Sequence, residues 1–129
     1  IMAVHLTGRP MNMFKINEIA KKHKLIVIED AAQSIGAKFK NKKIGSFGDF
    51  ACFSLHPLKN LFAFGDGGMI ISNSKKFVKK ISIRKNHGLS SRYTCDYFSC
   101  NCRLDEFQAS LLNVQIKNLT MNYIYYADV

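Results

Sequence analysis

A serine and a lysine in the middle of the chain bring a hydroxyl and an amine within reach of one ligand. Ser54 is predicted to end an apolar strand, and Lys59 follows after a turn. A lysine among apolar neighbours such as Leu58 and Leu61 loses its proton more readily, and its amine then becomes a nucleophile that can form a Schiff base. Taken alone, the segment would also suit a surface lysine in a loop.

An acidic pair, Glu29-Asp30, directly follows the apolar run Leu25–Ile28. A carboxylate in that position can face a cationic group of a ligand. The same pattern would also suit a helix that begins with Asp30 as its N-cap. A third segment, Gly65–Gly68, has three glycines in four residues and so permits close approach of its backbone to a ligand. Turns that precede strands often have the same composition.

Together the three segments match the requirements of pyridoxal phosphate. Lys59 supplies an amine for a Schiff base, Asp30 a carboxylate for the pyridinium nitrogen, and Ser54 a hydroxyl for the phosphate. The carboxylate keeps the ring nitrogen protonated, which lets the ring accept the electrons of a carbanion.

The elements that must position these residues alternate along the chain. Strands are predicted over 2–6, 25–29, 50–54 and 68–72, helices over 12–23, 75–86 and 103–118, and a hairpin over 35–45. This order predicts an α/β fold with a mostly parallel sheet flanked by helices. Ligands bind at the carboxyl ends of such strands, where Asp30 and Ser54 fall.

Seven motifs, in one order and covering essentially the whole chain, resemble the DegT/DnrJ/StrS family of pyridoxal-phosphate-dependent sugar aminotransferases, which are fold-type I enzymes. The motifs are His5–Gly8, Ile28–Gln33, Gly45–Asp49, Phe53–Leu61, Gly65–Gly68, Asn86–Gly88 and Asn101–Ala109. The resemblance implies that the chain is the central part of the large domain of such an enzyme.

The resemblance also assigns roles to individual residues. Lys59 would hold the cofactor through a Schiff base and shuttle protons, and Asp30 would pair with the pyridine nitrogen. Gln33 would lie against the ring near its 3-hydroxyl, and Ser54 would bind the phosphate. Asn101 would reach the phosphate in the neighbouring subunit's site, so the active unit would be a homodimer.

The implied reaction transfers an amino group, with glutamate as the expected donor, to a keto group of a nucleotide-linked sugar. Lys59 favours amino transfer because dehydratase members of the family carry histidine at that position. His56 adjoins the Ser54–Lys59 loop and is a candidate contact for substrate or phosphate. A cytoplasmic enzyme of polysaccharide biosynthesis is the expected setting.

Members of this family are much longer than 129 residues. We therefore expect residues 1–129 to be a partial cofactor-binding domain, without the upstream Gly–Thr phosphate cup or the small C-terminal domain. Such a chain expressed alone is expected to be inactive. The alternative is a truncated, non-catalytic remnant of the same fold.

Charge and cysteine content exclude other classes of function. Nineteen Lys and Arg against nine Asp and Glu give a formal net charge of +10, which suits anionic sugar nucleotides. A nucleic-acid module is disfavoured because most aromatic residues alternate with apolar ones in predicted core strands. The four cysteines lack zinc-site spacing and are expected to be reduced thiols. No apolar run is long enough to span a bilayer.

Overall fold

A computed structural model describes residues 1–119, which hold eight strands and three α-helices. The elements in chain order are β1 (Met2–Val4), α1 (Met13–His23), β2 (Ile28–Asp30), β3 (Lys38–Phe39), β4 (Lys42–Lys43), β5 (Phe50–Ser54), β6 (Gly68–Ile71), α2 (Lys75–Arg84), β7 (Leu89–Ser91), β8 (Thr94–Cys95) and α3 (Glu106–Gln115). Short 3-10 turns cover Leu6–Gly8 and Ile116–Asn118.

The central sheet has the strand order β1-β2-β5-β6. β1, β2 and β5 run parallel, and β6 pairs antiparallel with β5. Asp30 is the register partner of Cys52, and Ser54 is the partner of Gly68. The predicted α/β fold with a mostly parallel sheet is therefore confirmed, and the hairpin β3-β4 falls inside the predicted range 35–45.

Helix α1 covers one face of this sheet. Its N-cap is Asn12, whose Oδ1 accepts the Lys15 N–H at 3.2 Å, as the prediction of a helix from Asn12 to His23 requires. Small residues on the sheet, such as Ala3 and Ala51, let the helix approach closely. The buried residues of this core are Ala3, Met13, Ala20, Val27, Ala31, Ile44, Ala51 and Phe53.

A second, smaller core joins the segment after β5 to α3. It is formed by Leu55, Leu61, Ala63 and Leu112, all buried. Burying a leucine side chain stabilises a fold by about 1.5–3 kcal/mol, so this cluster ties the segment around Lys59 to the rest of the molecule.

The structure corrects several predicted boundaries. The strand predicted over 25–29 is β2 at Ile28–Asp30, and Leu25 and Ile26 are 48% and 50% exposed. Lys24 ends α1 in a left-handed conformation, and the Leu25 N–H donates to the Ala20 carbonyl at 2.8 Å. Leu25 therefore closes the helix instead of pairing in the sheet.

The last predicted helix, over 103–118, begins later than expected. α3 starts at Glu106, because Asp105 is its extended N-cap, and the chain continues as a 3-10 turn after Gln115. The hairpin β7-β8 was not predicted. Residues after Leu119 lie outside the described part of the chain. The Asn101–Ala109 motif ends before this limit and is described in full.

Candidate active site

Asp30 and Ser54 lie at one edge of the central sheet. Each is the last residue of a parallel strand, β2 or β5, and these two strands are neighbours. Because Asp30 pairs with Cys52, and side chains alternate along a strand, the side chains at 30, 52 and 54 share one face of the sheet. This face is opposite the α1 core, and Val4, the partner of Asp30 on β1, is 43% exposed there.

The segment that follows Ser54 folds into a sequence of tight turns. The Ser54 Oγ accepts the His56 N–H at 3.3 Å, and the His56 carbonyl accepts the Lys59 N–H at 2.9 Å. Leu55 closes the base of this segment, because its carbonyl accepts the Ala63 N–H at 2.7 Å. Lys59 is thus carried on a loop whose two ends are both fixed to the buried core.

Lys59 is half-buried, and its amine has no hydrogen bond or salt bridge to any of residues 1–119. Of the apolar neighbours predicted around Lys59, Phe53 and Leu61 are buried and Phe62 is half-buried, whereas Leu58 is 88% exposed and points to solvent. Leu58 turns outward because its N–H donates to His56 Nδ1 at 3.2 Å, which fixes the turn. His56 itself is exposed.

Asp30 is half-buried, and its Oδ1 accepts the Ala32 N–H at 3.1 Å. No helix begins there, so the N-cap alternative is wrong: the carboxylate stabilises a turn over Ala31–Gln33. Burial, and secondly the charge of Asp30, raise the pKa of the Cys52 thiol. Cys52 therefore stays a neutral thiol beside Asp30.

Gln33 connects this turn to the segment after β1. Its Oε1 accepts the Thr7 N–H at 2.8 Å, and Thr7 has a left-handed φ of 52°. The bond occupies the carbonyl end of an exposed side chain and leaves the amide NH2 as a donor.

Asn101 lies away from these residues, on a different element. It forms an isolated antiparallel bridge with Asn86, and its Oδ1 accepts the Arg103 Nε–H at 2.9 Å. Within the described residues no hydrogen bond connects it to Asp30, Ser54 or Lys59. The structure thus brings together the predicted residues of the sheet edge and leaves Asn101 outside that group.

Glu29, the other half of the acidic pair, is the residue that sequence reasoning missed. It is 0% exposed on the α1 side of the sheet. Its Oε1 accepts the Phe47 and Gly48 N–H groups at 2.8 and 2.6 Å, and its Oε2 accepts the Gly45 N–H at 2.9 Å. One buried carboxylate therefore anchors the whole loop before β5.

His5 completes this buried network. Its Nε2 lies 3.2 Å from Glu29 Oε2, and its Nδ1 accepts the Met11 N–H at 3.1 Å. Because Nδ1 is an acceptor, Nε2 carries the proton and donates to the carboxylate. The signal in the sequence was a glutamate inside an apolar strand together with a glycine-containing loop, Gly45–Asp49, that needs acceptors for its backbone.

Gly45 allows a direct test of how tightly this loop fits. Its φ is +93°, and a Cβ there would lie 2.5 Å from Cζ of the buried Phe53. Gly45→Ala is expected to lower the free energy of unfolding by about 2–4 kcal/mol, because left-handed strain and overpacking add. Urea unfolding measures this value.

Gly65→Ala is the matched control for that substitution. Gly65 also has a positive φ, +142°, but the nearest described atom to an added Cβ, Gln108 Nε2, would lie 3.9 Å away. Its free energy of unfolding is expected to fall by only about 1 kcal/mol, because left-handed strain acts there without overpacking. Equal losses for the two variants would contradict the close packing of Gly45 on Phe53.

A groove of about 770 Å³ lies between β6, α2 and α3, and it does not contain the candidate site. Its lining is mostly apolar and includes Asp66 and Arg103, but not Asp30, Ser54 or Lys59. In residues 1–119 the four cysteines are free, and no three metal-binding side chains cluster. No helix in this range is both long and apolar enough to cross a membrane.

Comparison with known proteins identifies the family that shares this arrangement. The DegT/DnrJ/EryC1/StrS aminotransferase family model matches residues 1–123. The chain belongs to this family. The predicted resemblance is therefore confirmed, and with it the fold class.

Two curated proteins are similar to this chain over 119 residues. A pleiotropic regulatory protein of Geobacillus stearothermophilus is 46% identical, and the UDP-N-acetyl-3-dehydro-alpha-D-glucosamine 3-aminotransferase of Acidithiobacillus ferrooxidans is 45% identical. Each match covers 92% of this chain and 32% of the relative. The chain thus spans about a third of the length of these curated relatives.

A solved structure of the family has the same fold over this range. DesV of S. venezuelae, determined in complex with a ketimine intermediate, superposes with a TM-score of 0.89 at 36% identity. The match covers 93% of this chain and 32% of DesV.

Proposed function

We propose that this chain carries the lysine-bearing part of a pyridoxal-phosphate-dependent aminotransferase. The observation that carries the proposal is that two polar side chains end neighbouring strands at one sheet edge, with a lysine on the loop that follows the second strand. The two are the Asp30 carboxylate and the Ser54 hydroxyl, and the half-buried Lys59 amine has no partner among residues 1–119. Membership of an aminotransferase family supports the same conclusion.

The residues present fit the cofactor by the chemistry of their polar atoms. Asp30 uses Oδ1 for its own turn, so Oδ2 can accept from a protonated pyridine nitrogen. Gln33 uses Oε1 for Thr7, so its amide NH2 can donate to the ring hydroxyl. Ser54 Oγ accepts only a long bond from His56 and can donate its proton to a phosphate oxygen.

When bound, pyridoxal phosphate supplies an electron sink that stabilises a carbanion beside the transferred amino group. Lys59 Nζ would be the group that holds the cofactor, and the same amine would move a proton to or from the substrate carbon. The Asp30 carboxylate would keep the ring nitrogen protonated. Cys52 assists by remaining a neutral thiol, since burial raises its pKa and keeps a second anion away from Asp30.

The loop geometry explains how Lys59 can serve both tasks. Its backbone is fixed through the His56 carbonyl, while the four-carbon side chain has no fixed partner among residues 1–119. The amine can therefore swing between the cofactor and a substrate carbon without a change in the fold.

The proposed substrate is a nucleotide-linked keto sugar, with glutamate as the amino donor. The name of the A. ferrooxidans relative supports this class, and the net charge of +10 favours an anionic diphosphate. The exposed His56, whose backbone N–H donates to Ser54 Oγ, is the proposed contact for phosphate or substrate. We further propose a cytoplasmic homodimer in polysaccharide biosynthesis, in which Asn101 reaches the phosphate in the other subunit's site.

Formation of 2-oxoglutarate tests this function. The protein, produced as its gene encodes it, is incubated with pyridoxal phosphate, glutamate and a UDP- or dTDP-linked keto sugar. We expect 2-oxoglutarate and amino sugar in equal amounts. Binding of the cofactor without either product would favour a non-catalytic member of the family and contradict the proposal.

A further inference from the structure

Two exposed thiols that the proposed reaction does not use lie side by side near the start of α3. The Sγ atoms of Cys100 and Cys102 are 3.3 Å apart. The hydrogen bond to Cys100, and then the charge that Cys100 carries as a thiolate, raise the pKa of Cys102. Either sulfur can be the donor in this contact.

The backbone around the two thiols holds them in this arrangement. The Cys102 N–H donates to the Lys85 carbonyl at 2.8 Å, and the His87 N–H donates to the Cys100 carbonyl at 3.0 Å. Residues 100–102 are thus fixed in extended form against the chain that leaves α2. Alternate side chains of an extended segment point the same way, so both sulfurs share one side and Asn101 faces the other.

Cys95 is nearby in sequence but is engaged differently. Its Sγ points to the carbonyls of Tyr97 and His87, at 3.2 and 3.5 Å. Cys52 is on the central sheet and only partly exposed. Of the four cysteines, Cys100 and Cys102 alone have their sulfurs in contact with each other.

We propose that Cys100 and Cys102 form a reversible dithiol–disulfide pair, a redox modification site that closes around Asn101. A disulfide requires the sulfurs to approach from 3.3 Å to about 2.05 Å and the two Cβ atoms to come within about 4.5 Å, so the extended backbone at Asn101 must bend as the bond forms. The oxidant we specify is a small disulfide such as oxidised glutathione.

The exchange balances in two steps. The Cys100 thiolate attacks one glutathione sulfur, which forms a mixed disulfide and releases one glutathione thiolate. Cys102 then gives its proton to solvent and attacks the Cys100 sulfur, which releases the second glutathione. Two protein thiols are oxidised, and one glutathione disulfide is reduced to two thiols.

A disulfide across a single residue is easily reversed. The disulfide closes a very short ring, so it restricts the unfolded chain only slightly and adds little stability. The short ring also strains the backbone. Strained, exposed disulfides are the labile ones, which suits a modification that is made and removed. A consequence that rests on the proposed function is that oxidation restricts Asn101 and so alters its reach to the cofactor phosphate.

Alkylation and peptide mass analysis test the pair without any assay of activity. The protein is equilibrated with reduced and oxidised glutathione at several ratios, and free thiols are then alkylated. We expect the peptide with Cys100 and Cys102 to lose two hydrogen atoms and both alkylation sites together, whereas Cys95 stays alkylated. Cys100→Ser is expected to leave Cys102 alkylated or joined to glutathione, and Cys95→Ser is expected to leave the pair unchanged.

Several results would overturn the proposal. They are alkylation of both sulfurs at every ratio, accumulation of the mixed disulfide in the unaltered protein, or a disulfide that includes Cys95. All three exposed cysteines tolerate serine without loss of buried contacts, so circular dichroism of each variant is expected to match the parent. Because the readout is a mass, failure of this inference is distinguishable from failure of the aminotransferase proposal.

Discussion

Lys59→Ala is expected to abolish covalent capture of pyridoxal phosphate and to reduce amino transfer by about 10²–10⁴-fold or more, the range for a positioned acid–base group. The reason is that this variant lacks the amine that we propose both holds the cofactor and moves the proton. Absorbance of the bound cofactor in the visible range measures the first effect, and steady-state production of 2-oxoglutarate measures the second.

Two further variants make the Lys59 result specific. Lys59→Arg keeps a positive charge but has no amine that loses its proton, so it is expected to be as inactive as the alanine variant. Asn60→Ala changes an exposed neighbour on the same loop and is expected to retain activity within about twofold, since surface substitutions perturb little. Retention of capture and activity by Lys59→Ala would contradict the assigned role.

Glu29→Ala is expected to lower the free energy of unfolding by about 2–5 kcal/mol, because it leaves several buried donors without an acceptor. Three of these donors are backbone N–H groups of the Gly45–Gly48 loop, and the fourth is His5 Nε2. Urea unfolding of the variant and the parent, followed by circular dichroism, measures the difference.

Two substitutions separate the network from general effects of removing charge. Glu29→Gln keeps the size but turns an NH2 toward N–H donors, so we expect a loss of about 1–3 kcal/mol. Glu18→Gln, an exposed site on α1, is the matched control and is expected to change stability by less than about 0.5 kcal/mol. If both Glu29 variants unfolded like the parent, the anchoring role of Glu29 would be excluded.

The sequence predicted those parts of the structure whose signals are local. Asn12 as an N-cap, the apolar run that ends at Ser54 and the hairpin around Asn41 each depend on a few neighbouring residues. The polar ends of β2 and β5 were predictable because parallel strands place their carboxyl ends at one edge. The site residues Asp30 and Ser54 follow directly from that rule.

The rest depends on contacts between residues far apart in the chain. Glu29 looked like a ligand group, but its acceptors are used by Gly45–Gly48 and by His5, which no local pattern reveals. Leu25 looked like a strand residue, but it closes α1. Leu58 looked like part of an enclosure, but a bond to His56 turns it outward. In each case a hydrogen bond that the sequence pattern does not reveal determines where the side chain lies.

The central claim is that Lys59 is the residue that holds pyridoxal phosphate. The most direct test is to incubate the protein, as its gene encodes it, with the cofactor, reduce it with borohydride, digest it and locate the pyridoxyl group by mass spectrometry. The account predicts one modified peptide, with the group on Lys59. Label on the exposed lysines of α2, or spread over many lysines with Lys59 unmodified, would contradict it.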